Sequence, residues 1–199
     1  TKPVEVAVTP VASTAERVAQ RVTFVNHKEK QALLTLFLQT TVIERALIFS
    51  RTKHGADRIV RLLAAAGIEA NAIHGNKSQA MRERALAAFR TGDVPILIAT
   101  DIAARGIDIP GVSHVINFDL PNVPEQYVHR IGRTARAGTE GMAIGYCAND
   151  EKPFLRDIEK LIRQKIEVEA LPQGFMAAVE AVSRLKPVSS MLLISPPDN

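Results

Sequence analysis

Short apolar runs alternate with longer amphipathic segments along most of this chain, and this alternation constrains the fold more than any other feature. Ala46 to Phe49 form an uninterrupted apolar run, and apolar side chains then recur at helical spacing from Ile59 to Ala66. A short continuous apolar run is typical of a strand buried on both faces, and strands that alternate with helices favour parallel pairing. The pattern predicts an α/β fold, a doubly wound, mainly parallel sheet with helices on both faces.

The same strand and helix pattern recurs before and after this unit. In chain order, the other predicted elements are strands at Val4–Val8 and Val18–Val25, a helix at Lys28–Leu38, a strand at Ala70–Ile73, a helix at Ser78–Phe89, a strand at Ile96–Ala99 with a short helix at Asp101–Ala104, a strand at Val115–Phe118, a helix at Glu125–Ile131, a last strand at Met142–Cys147 and a final amphipathic helix at Phe154–Ile162. With 199 residues and 46% apolar content, the chain can bury one sizeable core, which favours a single domain with a tail.

Charge and cysteine content narrow the possible classes of protein. The chain carries 25 Lys plus Arg against 21 Asp plus Glu, a net charge of +4 that suits nucleic acid only where the positive residues cluster. Its one cysteine, Cys147, excludes an internal disulfide framework, so we expect a small core residue in a reducing cytoplasm. No signal peptide and no apolar run near about 18 residues occurs, so no membrane contact is expected. Because the chain opens at Thr1 and not at a methionine, we expect a fragment.

The positive residues do cluster between His129 and Gly138, where three arginines and a histidine occur without a carboxylate. Guanidinium groups bind phosphate oxygens bidentately and glycines allow close approach, so this stretch predicts a polyphosphate ligand. Pro124 suits the first turn of a helix that continues to Ile131, which places His129 and Arg133 about one turn apart. The alternative is a solvated basic turn, since charge runs usually face water.

A second segment, Ala99 to Pro110, combines a hydroxyl, two carboxylates, an arginine and a glycine. Thr100 and the amides after it can hold a phosphate at a helix start, while Asp108 can accept hydrogen bonds from a ribose. The alternative is that Asp101 only caps its helix and Asp108 only turns the chain. The neighbouring arginine cluster favours the functional interpretation.

Polar residues directly follow three of the predicted strands. They are Ser50–Lys53 after Phe49, His74–Lys77 after Ile73 and Thr100–Asp101 after Ala99. Open α/β sheets bind ligands at the carboxyl ends of their strands. We therefore expect these residues to share one edge of the sheet and to line a functional site.

A Lys-Ser pair after Gly75 invites a different interpretation, as a nucleotide-binding P-loop. Such a loop needs adjacent Gly-Lys and a second glycine five residues before the lysine, but here Asn76 separates Gly75 from Lys77 and Ala72 occupies the earlier position. The chain also contains no glycine-rich dinucleotide-binding fingerprint. A nucleotide-binding enzyme that is complete in this chain is therefore disfavoured.

Three stretches together resemble the DEAD-box RNA helicases. His129–Gly138 resembles the last motif of that family, whose usual form ends Arg-Thr-Gly-Arg, with Ala135 here in place of the glycine. Ala99–Pro110 resembles the fifth motif. The family's glycine followed by Gln-x-x-Arg, which contacts the backbone of single-stranded RNA, is matched by Gly75, Gln79 and Arg82. The three motifs occur in the family's order and spacing.

The resemblance extends from Val4 to Leu171 and implies the second RecA-like domain of such a helicase. Within the family, the sequence is most similar to the bacterial RhlE subgroup. We therefore expect residues 1–171 to form that domain and residues 172–199 to form a C-terminal extension. Residues 189–199 hold the apolar stretch Met191–Ile194 among prolines and are expected to be a disordered tail or sequence foreign to the natural protein.

The resemblance also implies a function and a set of site residues. A first domain absent from this chain would hold ATP and Mg²⁺, while this chain would supply arginine fingers and no metal ligand, so we expect the chain alone to be inactive. By the same resemblance, Arg133 and Arg136 contact the γ-phosphate, Gly106 and Asp108 lie near the ribose, Arg105 and His129 couple nucleotide to RNA, and Arg51, Thr52, Gly75, Gln79, Arg82 and Thr100 line the RNA path. The expected partners are the first domain and RNA, single-stranded or duplex, which is contacted through its backbone and unpaired locally.

Two further alternatives are weighed against this interpretation. Membership of another helicase family is disfavoured by the sequence His-Arg-Ile-Gly-Arg in the last motif. A self-sufficient RNA-binding module is opposed by composition, because aromatic residues make up only 5% of the chain and tryptophan is absent, which leaves few side chains on which bases could stack.

Overall fold

The computed structural model describes residues 11–109, 112–136 and 138–187. Within these ranges the strands are β1 (Ala19–Phe24), β2 (Ala46–Phe49), β3 (Asn71–Ile73), β4 (Ile96–Ala99), β5 (His114–Asn117), β6 (Met142–Cys147) and β7 (Glu167–Val168). The α-helices in the same ranges are α1 (Val11–Glu16), α2 (Lys30–Thr40), α3 (Lys53–Ala65), α4 (Gln79–Thr91), α5 (Asp101–Ala104), α6 (Pro124–Ile131), α7 (Lys152–Ile162) and α8 (Phe175–Ser183). Two 3₁₀ turns, His27–Glu29 and Asn149–Glu151, lead into α2 and α7.

The seven described strands form one sheet in the order β3-β4-β2-β5-β6-β1-β7, and each of their pairings is parallel. β2 and β4 lie inside the sheet, and every residue of both is buried. Strands that are covered on both faces need apolar side chains in both directions, which explains their continuous apolar sequences. The predicted fold class, a doubly wound parallel sheet, is confirmed.

Helices cover both faces because successive strand residues point to opposite sides of the sheet. Ile48 packs in a cluster with residues of α2, α3 and α8, whereas Leu47 packs in a cluster with residues of α4 and α5. A third cluster joins α1, α6 and α7 to β1 and β6 and contains Cys147. Burial raises the pKa of the Cys147 thiol to about 11, so the side chain stays a neutral core residue at physiological pH.

Helix boundaries follow local capping chemistry. The Ser78 hydroxyl caps α4 by accepting a hydrogen bond from the Met81 amide at 3.2 Å. Pro124 occupies the first turn of α6, and α6 ends at Ile131, both as the sequence predicts. The predicted arginine cluster begins in the last turn of α6, at His129 and Arg130.

The C-terminal part differs from the prediction. β6 is not the last strand, because β7 pairs with β1, and α7 is not the final helix, because α8 follows it. Two exposed residues form β7, and Phe175 is the one fully buried residue of α8, so neither element gives a strong periodic apolar signal. Phe175 packs into the core beside residues of α2. The packed structure therefore continues past the predicted boundary at residue 171.

The N-terminal part also adds an element. The strand predicted at Val18–Val25 is β1, and α1 precedes it without having been indicated by the sequence pattern. The predicted strand Val4–Val8 and the predicted tail at residues 189–199 lie outside the described residues.

Candidate functional site

The end of α6 lies against the segment that follows β4, and three arginines join the two. Arg130, Arg133 and Arg136 occur at three-residue intervals, and each donates a hydrogen bond to the segment between Asp101 and Asp108. The sequence predicts both stretches as functional, and the fold makes them one continuous surface. We call this surface the arginine junction.

Arg130 is the buried member of the arginine junction, with a side chain that is 2% exposed. Its Nε and Nη2 atoms donate to the two carboxylate oxygens of Asp101, each at 2.7 Å. Its Nη1 atom donates to Asn117 Oδ1 at 3.2 Å and to the Asp119 carbonyl at 2.7 Å, and the guanidinium stacks over the Phe49 ring. These partners use four of its five N–H donors and balance its charge. Arg130 therefore stabilises the fold, and it is not among the predicted site residues.

The contact between Arg130 and Asp101 also bears on the alternative in which Asp101 only caps its helix. Its carboxylate does not merely cap α5, because it holds the guanidinium of Arg130 bidentately. Thr100 occupies the N-cap position of α5 without a capping hydrogen bond from its side chain. The Thr100 hydroxyl therefore remains available at the start of the helix.

Arg133 is half-buried and binds the backbone of the opposite segment. Its Nη2 atom donates to the Ala104 carbonyl at 3.0 Å, and its Nη1 atom donates to the Ile107 carbonyl. Burial lowers the pKa of Arg133, the nearby charge of Arg136 lowers it further, and Asp108 opposes both effects. An arginine keeps its charge in proteins at neutral pH, so Arg133 presents a fixed, partly desolvated cation.

Arg136 is the most exposed member, with a side chain that is 44% exposed. Its Nε atom donates to the Gly132 carbonyl at 2.8 Å, and its Nη1 atom donates to Asp108 Oδ1 at 3.1 Å. The Asp108 side chain is 83% exposed. Exposed ion pairs contribute at most about 1 kcal/mol, so a phosphate ligand can displace Asp108 from Arg136 at little cost.

A cavity of about 740 Å³ opens beside the arginine junction. Its lining includes the cationic residues Arg105, Arg133 and Arg136 together with His129, along with the acidic residues Asp101 and Glu125. Because Arg130 already balances Asp101, positive charge is in excess. A cavity of this size and charge suits a small polyanion. Gly106 and Asp108 are not part of its lining.

Two positions in the arginine junction adopt the left-handed backbone conformation. Gly106 has φ 74° and open space where a side chain would point. Ala135, which stands where the DEAD-box motif that this stretch resembles has a glycine, has φ 53°. That conformation costs an L-residue with a Cβ about 1–2 kcal/mol, so this chain places backbone strain directly before Arg136.

The predicted RNA-path residues are brought to one edge of the sheet. Arg51 and Thr52 follow β2, Gly75 follows β3 and Thr100 follows β4, and these three strands are neighbours in the order β3-β4-β2. Backbone hydrogen bonds tie the strand ends together: the Ser50 amide donates to the Ala99 carbonyl at 3.0 Å, and the Thr100 amide donates to the Ile73 carbonyl at 3.4 Å. The parallel sheet thus places side chains from three distant stretches on one rim.

Several of these residues also have structural contacts. The Thr52 hydroxyl caps α3 by accepting from the Gly55 amide at 3.0 Å. Gln79 donates to Glu83 on the exposed side of α4, and Arg82 is half-buried with a 3.4 Å contact from Nη2 to the Ala103 carbonyl. By contrast, Gly75 has nothing within 4 Å of the position of an added Cβ, so packing does not explain a glycine there.

Two ionic clusters were not indicated by the sequence. Lys30 Nζ lies 2.6 Å from Glu151 Oε2, and both side chains are buried. Asp57 lies 2.9 Å from His74 Nε2 and 3.1 Å from Lys77 Nζ. Burial on its own would raise the pKa of Asp57, but these two neighbours lower it overall. Lys30 and Glu151 are 121 residues apart, so no local pattern could reveal their pairing.

The described ranges contain no group of three or more His, Cys, Asp or Glu side chains that could hold a metal ion. No helix in them is long and apolar enough to cross a membrane.

Comparison with protein families identifies the class of domain. Residues 28–138, which include the whole arginine junction, match the family described as the helicase conserved C-terminal domain. The chain belongs to this family. Its relatives place it among the DEAD-box helicases, as the C-terminal domain.

The curated relatives are longer proteins. The chain is 43% identical over 167 residues to the DEAD-box ATP-dependent RNA helicase CshA of Bacillus licheniformis, covering 84% of this chain and 34% of that protein. It is 46% identical over 143 residues to the ATP-dependent RNA helicase CshA of Listeria monocytogenes, covering 72% of this chain and 28% of that protein. The chain therefore spans about a third of the length of these relatives.

Solved structures share the fold. The DEAD-box protein SrmB of E. coli, bound to the regulator of ribonuclease activity RraA, has a TM-score of 0.73 at 37% identity, covering 76% of this chain and 90% of that one. Dbp5 of S. cerevisiae, bound to RNA and ADP BeF3, has a TM-score of 0.73 at 33% identity, covering 84% of this chain and 45% of that one. These similarities confirm a RecA-like domain of the DEAD-box type.

Proposed function

We propose that this chain is the second RecA-like domain of an ATP-dependent RNA helicase and that it supplies arginine fingers to ATP held by a first domain. The observation that carries the proposal is the arginine junction, in which Arg133 and Arg136 meet the segment containing Gly106 and Asp108 beside a cationic cavity. The relative Dbp5 has been solved with RNA and a nucleotide analogue, which supports the same pair of ligands here.

On the nucleotide side, Arg133 and Arg136 would bind the γ-phosphate. Both are charged, and Arg136 can exchange its exposed partner Asp108 for a phosphate oxygen. Released from Arg136, the Asp108 carboxylate is free to accept hydrogen bonds from the ribose, beside the glycine turn at Gly106. The first domain would hold the Mg²⁺ ion, which neutralises charge that develops on the phosphates.

On the RNA side, the rim formed by β3, β4 and β2 would hold the sugar-phosphate backbone of a single strand. Its proposed contacts are Arg51, Thr52, Gly75, Gln79, Arg82 and Thr100. Thr100 lies at the start of the segment that continues into the arginine junction. One short stretch of chain therefore carries proposed contacts to both the RNA and the nucleotide. Arg105 and His129 line the same cavity as Arg133 and Arg136 and would couple nucleotide binding to RNA binding.

These placements give a mechanism for local unwinding. ATP binding by the first domain would draw this domain inward, because its arginines gain a phosphate partner only when the two domains close. Closure would also bring the RNA rim against the first domain and bend the bound strand, which unpairs a short duplex. Hydrolysis removes the γ-phosphate that holds the arginines, so the domains separate and RNA is released.

Two finer assignments accompany the proposal. Membership of the bacterial RhlE subgroup is supported by the amino-acid sequence at His74–Gln79 and Pro121–Arg133. A cytoplasmic location is supported by Cys147, a free thiol in the core, because a reducing compartment keeps such residues unpaired.

Steady-state ATP hydrolysis with and without RNA tests the function. The purified chain should release no phosphate above background, because its arginines act only where another domain holds the phosphates. Addition or fusion of its own first domain should give RNA-stimulated turnover, and the same two-domain protein with Arg136→Ala should not. RNA-stimulated turnover by the chain alone contradicts the proposal.

A further inference from the structure

The Glu151 carboxylate is fully buried and binds two cations. Its Oε2 atom accepts from Lys30 Nζ at 2.6 Å and from the Ala148 amide at 2.8 Å. Its Oε1 atom accepts from Arg51 Nη2 and from the Leu120 amide, both at 3.2 Å. The carboxylate thus joins the start of α7 to the segments that follow β2, β5 and β6, and of these strands β2 belongs to the proposed RNA rim.

Glu151 contacts one nitrogen atom, Nη2, of the Arg51 guanidinium. Arg51 Nη2 donates to Glu151 Oε1 and to the Leu120 carbonyl at 3.1 Å, and the guanidinium stacks over the Phe154 ring at 5.5 Å. The Arg51 amide also donates to Asp119 Oδ2 at 2.8 Å. The side chain is nevertheless 46% exposed, and within the described residues neither Nε nor Nη1 has a hydrogen-bond partner. Arg51 is therefore fixed on one side and open on the other.

The burial of this network is not explained by stability. Lys30 is 1% exposed and Glu151 is 0% exposed. Taking two charges out of water offsets much of their attraction, and apolar replacements of buried ion pairs are often as stable. What a fully hydrogen-bonded carboxylate provides is a fixed geometry. The group whose geometry it fixes at the surface is Arg51.

We propose that Glu151, held by Lys30, is a positioning residue for RNA binding: it fixes Arg51 so that the open Nε and Nη1 edge meets a phosphate oxygen of the RNA backbone. A guanidinium that is already immobilised loses little conformational freedom when a phosphate binds. The inference rests on the proposed function, because it needs the RNA path to pass over Arg51. Glu151 itself contacts no ligand.

RNA affinity of the full-length helicase tests this positioning role in a double-mutant cycle. The readout is the Kd for a labelled oligo-U in the presence of a non-hydrolysable ATP analogue. Arg51→Ala should raise the Kd about tenfold, and Glu151→Gln should raise it about threefold to fivefold, because the arginine remains but is no longer held. In the Arg51→Ala background, Glu151→Gln should change the Kd by less than about 1.5-fold. For Glu151→Gln, the kcat for ATP at saturating RNA should stay near that of the wild type.

Two controls separate positioning from charge and from folding. Glu151→Gln also removes a negative charge near the RNA, which by itself would strengthen binding. Asp157→Asn makes the same charge change at an exposed position of α7 and should leave the Kd unchanged or slightly lower. Glu151→Gln leaves Lys30 buried beside a neutral amide, with Asp119 Oδ1 at 3.5 Å as its remaining carboxylate. The double variant Lys30→Met/Glu151→Gln removes that buried charge and should show the same loss of RNA affinity.

The outcomes are distinguishable. If Glu151→Gln weakens RNA binding equally with and without Arg51, the positioning role is wrong while the RNA path stands. If Arg51→Ala has the wild-type Kd, the inference fails together with the proposed RNA path at this residue. RNA-stimulated hydrolysis by the chain without its first domain would instead contradict the function itself. A Glu151 effect that disappears in the Arg51→Ala background, in folded variants, supports the proposal.

Discussion

Arg130 binds Asp101 through two parallel hydrogen bonds, Nε to Oδ1 and Nη2 to Oδ2, each 2.7 Å long. The pair joins the end of α6 to the start of α5 and thereby fixes the two segments that carry the proposed nucleotide contacts. The remaining arginines of the junction, Arg133 and Arg136, extend from this anchor toward the cavity. The burial of each arginine explains its role. The buried Arg130 stabilises the fold, and the more exposed Arg133 and Arg136 remain able to bind a ligand.

This relationship makes a prediction about stability. Asp101→Asn should lower the free energy of unfolding by about 3 kcal/mol, because it leaves the buried Arg130 without its carboxylate. Asp108→Asn makes the same chemical change in the exposed pair with Arg136 and should cost less than about 1 kcal/mol. Urea denaturation of both variants measures the difference. Equal, small losses would show that Arg130 does not depend on Asp101.

The second prediction concerns the proposed arginine fingers. In the full-length helicase, Arg136→Ala or Arg133→Lys should lower the kcat for ATP by about 10³ to 10⁵, because lysine keeps the charge but loses the bidentate fork. Binding of RNA without nucleotide should stay nearly intact. Arg156→Ala, at an exposed position of α7, is the matched control and should keep the wild-type kcat. A wild-type rate for Arg136→Ala with RNA present would rule out the finger role.

The third prediction concerns the RNA rim. Contacts to phosphate release counterions, so Arg82→Ala should reduce the slope of log affinity against log salt by about 0.7, the value for one single-strand contact. The loss should be the same for oligo-U and oligo-A, because backbone contacts do not read bases. Salt titrations with a non-hydrolysable ATP analogue, compared at matched domain closure, measure both slopes.

Two variants serve as controls for that slope. Arg84→Ala removes an exposed arginine two residues further along α4, and Arg136→Ala removes a proposed ATP contact; neither should change the slope. An Arg82 variant with the wild-type slope, or one that is impaired on a single sequence, would return Arg82 to the role of a helix surface residue.

The fourth prediction concerns the backbone before Arg136. Ala135→Gly should raise the free energy of unfolding by about 1 kcal/mol, because glycine adopts a φ of 53° without the Cβ conflict that alanine has there. Ala87→Gly, at an exposed position inside α4, makes the same change in a helix and should lower it by about 1 kcal/mol. Opposite signs in thermal or urea unfolding would confirm strain at Ala135, and a loss of stability for both variants would exclude it.

Most of the fold could be predicted because its signal is local. Continuous apolar runs such as Ala46–Phe49 and helical periodicity such as that from Ile59 to Ala66 depend only on neighbouring residues, and they specify a parallel sheet covered on both faces. β7 and α8 were missed because their stability comes from contacts with distant elements, β1 and α2, and not from their own pattern.

The candidate site also has features that the sequence determines and features that only the tertiary structure decides. The sequence by itself determined which residue types gather after each strand, and the parallel order of β3, β4 and β2 then necessarily placed them on one rim. Only the tertiary structure decided that Arg130 is buried against Asp101 while Arg136 remains exposed, and that Lys30 meets Glu151 across 121 residues. The physical reason is that an arginine's charge and fork are the same at every position. Whether it holds the fold or binds a ligand depends on its burial and on the distance to its partners, which chain folding alone sets.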